Sequence, residues 1–273
     1  MPKDRTDAPP PDLRIVLTDS LQPHEEHDSQ RANPLIERLK HEQVFINPPI
    51  VAQISADHYV ILDGANRYYA FSYLSYAHIL VQVVSYDSGH VELKTWRHII
   101  TRWDRATFIA NLRSLSHIEL VDGQQSDAIA HILFKDGQIL AVCSPIANTH
   151  ERNAALRDVV SIYQRQATLH RTALTEPEDI WRLYPDAIAV VVFPLYQPGD
   201  ILAAARYRAY LPPGISRHII HGRALRINYS LDKLRDPTLD LAAKNDELQV
   251  WMQQKLAKRQ VRYYAEATYQ FDE

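Results

Sequence analysis

HYVILDGANRYYAFSYL, residues His58–Leu74, reads as a strand, a tight turn and a helix. His58–Leu62 is a short apolar run with β-branched residues, long enough for a strand. Asp63-Gly64 breaks it, because glycine tolerates the backbone angles of a sharp turn. Beyond the break, Tyr68, Phe71, Tyr73 and Leu74, with Ala70 between, recur at helical spacing, so a helix begins near Ala65–Arg67. The first N–H groups of such a helix lack intrahelical partners and carry the positive end of its dipole. Arg67 adds a fork of donors suited to phosphate oxygens. This is the pattern of an anion site at a helix N-terminus. It is equally that of an ordinary strand-to-helix turn whose arginine pairs with an acid.

Working outward, Leu13–Leu17 predicts a strand and Thr18–Ser29 a polar loop. That loop carries His24, Glu25, Glu26 and His27 in a row, either a metal-binding group or solvated loop charge. Asn33-Pro34 predicts the start of a helix, with Asn33 as N-cap, Pro34 at the first position and Leu35, Ile36 and Leu39 on its apolar face. Ile50–Ile54 predicts a second strand, and the continuous apolar run Ile79–Val84 a strand buried on both faces. The first 85 or so residues therefore read as β-α-β-β-α-β, and the fold class as α+β.

Farther on, Arg105–Leu115 is helical in pattern. Lys135-Asp136-Gly137 predicts a hairpin between Ala128–Phe134 and Gln138–Val142. Asn148–Gln166 predicts a long amphipathic helix, with Leu156, Val159, Val160 and Tyr163 buried. Thr175 is a candidate cap for a short helix, Ala187–Phe193 a buried strand, and Pro198–Tyr207 a helix. Near the C-terminus, Pro212-Pro213-Gly214 is a rigid turn. Two strands, Arg217–Ile220 and Ala224–Asn228, are expected around His221-Gly222-Arg223. Ser216, Arg217 and His218 form either an anion-binding group or a solvated basic hairpin. Leu239–Lys258 predicts a charged surface helix and Val261–Phe271 a closing strand. Residues 1–12, polar and proline-rich, are expected to be a disordered leader, with domains at 13–105 and 106–273.

Composition narrows the classes. The net charge of −3 gives no support to broad nucleic-acid binding. One cysteine, Cys143, excludes an internal disulfide framework and a cysteine zinc site. There is no apolar run of membrane-spanning length and no secretory h-region, so a cytoplasmic protein is expected. Neither a G-x-G-x-x-G nor a G-x-x-x-x-G-K-[ST] motif occurs.

The first 100 or so residues resemble the ParB/sulfiredoxin superfamily. The resemblance is carried by Asp63-Gly64-Ala65-Asn66-Arg67, followed by Ala70 and Leu74, and by Pro49-Ile50-Val51. Within it, the chain looks most like the kinases of free serine, archaeal ADP-dependent and siderophore-cluster ATP-dependent. Three further segments support this: His24-Glu25 with Arg31 six residues on, Thr95-Trp96-Arg97-His98, and Pro212–Arg217 followed by Gly222-Arg223. The resemblance implies phosphoryl transfer from ATP or ADP, with Mg²⁺, to L-serine. It implies Glu25 as general base, Asp63 orienting the reactants or helping to hold Mg²⁺, and Gly64, Ala65, Asn66 and Arg67 on the nucleotide. It implies Arg31, Trp96, His98, Ser216, Arg217 and His218 at the substrate. The family usually has His before the Arg of this turn. Asn66 can donate to a phosphate oxygen but carries no charge and relays no proton.

Two other readings stand beside the kinase. A ParB-like DNA-binding regulator would need a G-E-R-R motif, and His150-Glu151-Arg152-Asn153 lacks its Gly and second Arg. A non-catalytic nucleotide or ligand sensor would keep the turn and lose turnover. Sulfiredoxin chemistry needs a cysteine where Ala65 stands. The sequence leaves oligomeric state, and a haem role for any of its 13 histidines, open.

Overall fold

The structure is a computed structural model that describes residues 9–145 and 148–264. The chain is α+β and packs as two compact units, neither continuous in sequence. One holds the chain up to Gln22, His27–Glu92 and the chain from Ile219 onward. The other holds Pro23–Glu26 and Leu93–His218. The sequence expectation had a single cut near residue 105.

The first unit is built on a five-stranded sheet of β1 (Asp12–Leu17), β2 (Leu21–Pro23), β4 (Ile50–Ser55), β5 (His58–Asp63) and β6 (His78–Val84), in the order β1-β6-β4-β5-β2. β3 (Val44–Phe45) pairs instead with Tyr229–Ser230. β4 runs parallel to β6 and antiparallel to β5, and β1 is antiparallel to β6. Helices α1 (Ser29–His41) and α2 (Ala65–Tyr73) cover it, burying Ile36, Leu39, Ala70 and Phe71 with Val51, Ile61, Leu80 and Val81. β1 is an edge strand, and its outward peptide groups need partners. The Asn245 amide supplies them: Oδ1 accepts from Ile15 N at 2.9 Å and Nδ2 donates to Ile15 O at 2.8 Å. Asn245 lies on the helix Leu241–Ala257, which also buries Leu248 and Lys244.

The second unit is a six-stranded sheet in the order Thr168–Thr172, Arg97–Thr101, Ala187–Val192, Ala130–Leu133, Ile139–Cys143, Glu119–Asp122, antiparallel throughout. Its strands bury Ile99, Ile100, Ile132, Leu140 and Val190. The helix Thr149–Gln166, capped by the Asn148 side chain on Glu151 N, adds Leu156, Val159, Val160 and Tyr163.

Several expectations are corrected. α1 begins at Ser29, because the Asp28 side chain caps Gln30 N; Pro34 lies inside the helix. Burial of Ala32, Ile36 and Leu39 outweighs the bond that proline forfeits. The helix Pro177–Leu183 has Glu176 at its N-cap, not Thr175. Ala224–Asn228 is not a strand: Arg226 and Asn228 adopt left-handed angles, φ 53° each. Arg226 N and Ile227 N bond to Asn47 Oδ1 and Ile46 O, and Ser216–Ile220 pairs with Val91–Thr95 instead. Asp12, placed in the leader, is the first residue of β1. Residues 261–264 form no strand, and the rest of that expected strand lies outside the described residues, as do 1–8 of the leader.

Candidate functional site

In the first unit, the turn after β5 is closed by Gly64 at φ 102°. A Cβ there would lie 2.9 Å from Arg67 Nη2 and 3.0 Å from Pro49 Cα, so glycine meets both the angle and the space. Gly64 is the N-cap of α2 and offers no side chain to the helix's first N–H groups. Arg67 reaches back to donate to Asp63 Oδ2 at 2.9 Å and to Asn47 O at 2.9 Å. Arg223 donates to the same Asp63 oxygen. Burial alone would raise the Asp63 carboxyl, but the charges of Arg67 and Arg223 and their hydrogen bonds outweigh it and hold it at about 2. Two guanidiniums share one carboxylate, which leaves the cluster net positive at an uncapped helix start.

Gly222-Arg223 is part of the family resemblance but Arg223 is given no role there, and Gln82 explains its placement. Gln82 Nε2 donates to Gly222 O at 3.0 Å, and its Oε1 accepts from Ala224 N at 2.8 Å, which brackets Arg223. A lone glutamine inside the buried run Ile79–Val84 was the available signal. Asn66 Oδ1 accepts from Asp28 N at 2.8 Å, tying the start of α1 to the start of α2. Because Asp28 N is a donor, the amide oxygen faces it, and the NH₂ is turned to its other side. Arg31 is exposed in the first turn of α1 and belongs to this cluster, where its charge depresses Arg67 behind larger effects of burial, Asp63 and Arg223.

In the second unit, His24–Glu26 runs beside Leu211: Leu211 N donates to His24 O and Glu26 N to Leu211 O, each at 2.9 Å. Glu25 Oε2 accepts from Gly214 N at 3.1 Å, and His24 Nε2 lies 2.6 Å from Ser216 Oγ. The His218 ring meets His24 edge-on at 5.5 Å. Trp96 N donates to Ile215 O at 2.8 Å, and the Arg217 guanidinium lies 4.8 Å from the centre of the Trp96 ring. Glu25, Trp96, Ser216, Arg217 and His218 thus come together around one turn.

His98 belongs to the same unit but in another capacity. It is fully buried, with Nδ1 2.8 Å from Tyr163 Oη and Nε2 2.9 Å from Gly214 O. A carbonyl only accepts, so Nε2 carries the proton and Nδ1 accepts from the tyrosine hydroxyl. Burial pushes the imidazole down to about 4, the Gly214 bond opposing and Arg171 adding to the fall. Both nitrogens are spent inside the protein, which makes His98 a support of the turn and not a contact for a bound molecule.

The run His24–His27 does not converge as a metal group. Glu26 pairs with Arg157 at 3.2 Å, and His27 stacks on Tyr69 at 3.6 Å. Among the described residues no three His, Cys, Asp or Glu gather to hold a metal ion, and no helix is long and apolar enough to cross a membrane.

No protein-family profile matches the chain. Over 83 residues, 30% of its length, it is 35% identical to an ATP-dependent L-serine kinase of Staphylothermus marinus and 34% identical to one of Desulfurococcus mucosus. The chain spans about a third of the length of these curated relatives. Among solved structures, C-terminally truncated SbnI of Staphylococcus aureus aligns with 90% of this chain and 97% of its own, at TM-score 0.71 and 18% identity. A free serine kinase in complex with AMP aligns with 85% of this chain and 98% of its own, at TM-score 0.71 and 17% identity. Variants of that kinase with a glutamate replaced by alanine or glutamine match at the same TM-score. The chain therefore has the fold of SbnI and of the free serine kinase structures.

Proposed function

We propose that this protein is a kinase of free L-serine, transferring a phosphoryl group from ATP or ADP, and a ParB/sulfiredoxin-like protein that works in the cytoplasm. The observation that carries the reading is Glu25: a carboxylate fixed by a backbone N–H beside a turn that bears Ser216, Arg217 and His218. Two lines support it. One is the match to L-serine kinases over 83 residues; the other is the fold shared with free serine kinase structures.

For the donor, the α2 N–H groups at Ala65 and Asn66, the Gly64 turn and Arg67 bind phosphate oxygens, with Arg31 and Arg223 adding charge. Asp63 orients the two guanidiniums. Its Oδ2 receives both Arg67 and Arg223. Mg²⁺ bound with the nucleotide would supply charge neutralisation at the phosphates, beside Arg67 and Arg223. For the acceptor, Arg217 takes the serine carboxylate in a bidentate pair, against Trp96, with Ser216 and His218 beside it. Glu25 removes the hydroxyl proton as the serine oxygen attacks the terminal phosphorus. The bond from that phosphorus to the leaving nucleotide oxygen breaks, giving O-phospho-L-serine and a nucleotide one phosphate shorter.

Incubation with L-serine, Mg²⁺ and either nucleotide should yield phosphoserine. Glu25→Gln should lower kcat by about 10²–10⁴, the range of a general base. Absence of product with both donors, or a Glu25→Gln enzyme as fast as the parent, overturns the reading.

A further inference from the structure

The turn that holds Glu25 is itself held from the sheet. Strands Arg97–Thr101 and Thr168–Thr172 pair antiparallel with Arg171 opposite His98, so both side chains leave the sheet on one face. Each takes one carbonyl of the turn. Arg171 Nη2 donates to Pro213 O at 3.0 Å, and His98 Nε2 donates to Gly214 O at 2.9 Å. Pro213 O and Gly214 N belong to the same peptide group. Its carbonyl faces a guanidinium, and its N–H faces the Glu25 carboxylate at 3.1 Å. Gly214 adopts φ 76°, and a Cβ there would overlap the Arg171 guanidinium, so the glycine is what lets the arginine approach.

We propose that Arg171 is a positioning residue for Glu25, acting through the Pro213–Gly214 peptide that it holds in place and polarises. A peptide gripped at its oxygen by a positive charge donates its N–H more strongly, and its plane is fixed. The carboxylate is then held in one place at its Oε2. The sheet thereby sets the geometry of a group on a four-residue segment from elsewhere in sequence. This rests on Glu25 being the acceptor base.

The test is a ¹³C pH titration of the Glu25 side chain in the full chain, beside phosphoserine kinetics. The other titratable or charged groups on the elements packed there are His24, Glu26 with its partner Arg157, His98, Arg217 and His218; the substitutions leave them all in place, and the Glu25 ¹³C signal reads that carboxyl by itself. In Arg171→Met the Glu25 carboxyl should titrate about one pH unit higher, because a donor to its charged form is weakened. The acid limb of kcat should move by the same amount, kcat should fall about tenfold, and the nucleotide KM should stay within about twofold. Arg171→Gln keeps an amide donor without the charge; it should shift partway, and it carries the test if Arg171→Met does not fold. A Glu25 titration unmoved in the folded variants overturns the proposal, whatever happens to kcat. If the parent enzyme makes no phosphoserine, the kinase reading fails alone, and the titration still decides the positioning.

Discussion

Acid should unfold this protein partly through one histidine. His98 is fully buried and neutral, with its proton on Nε2 and its Nδ1 filled by the Tyr163 hydroxyl. Its folded pKa is about 4, below the ordinary 6.5, chiefly because burial penalises the charged ring. The unfolded chain therefore takes the proton first as pH falls. The His98 contribution is fully present above about 6.5 and is lost progressively down to about 4. The gap of about 2.5 units, at 1.36 kcal/mol per unit, amounts to about 3 kcal/mol. His98→Gln keeps a donor for Gly214 O and removes the titration. Urea melts of both proteins at pH 7.5 and 4.5 isolate the term, because carboxylate protonation is common to the two. The parent's advantage over H98Q should shrink by about 2–3 kcal/mol between those pH values. An advantage that stays constant across the range would show that the ring is solvated or already charged, and the reasoning would fail.

Two other perturbations address the first unit. Gly64→Ala forces an L side chain into φ 102° against Arg67 and Pro49, and should cost about 1–3 kcal/mol in a denaturant melt while weakening nucleotide binding. A variant as stable as the parent would contradict the close approach. Asn66→Ala leaves Asp28 N without its 2.8 Å acceptor and should lower stability by about 1 kcal/mol, with hydrogen exchange at that amide accelerated. Unchanged exchange there would mean that the tie between the two helix starts does not form.

Where local chemistry sets local structure, the sequence was easy to read. The β5–turn–α2 stretch, the Asp136-Gly137 hairpin and the Asn148-capped helix all follow from residues within a few positions of each other. Reading faltered where a distant partner decides the matter. Asn33-Pro34 is a good helix start by propensity, yet Asp28 caps the helix and a buried stripe carries it through the proline. The family resemblance implies His98 at the substrate; only the fold brings Tyr163 and Gly214 to its two nitrogens. Arg171 carried no local signal at all. Its meaning depends on facing His98 across a ladder and on a glycine 43 positions on.

The Pro23–Glu26 segment has a consequence for how this protein could be recombined. Pro23–Glu26 packs with the second unit, although the chain on either side of it packs with the first. A chimera that exchanges 93–218 as a block would import a foreign Leu211 and Gly214 yet keep the host's Glu25. The backbone bridge from Glu25 to Leu211 would then join sequences of different parentage. The acid and its cradle are inherited separately, so crossovers that keep function must carry the four-residue segment along with the distant block.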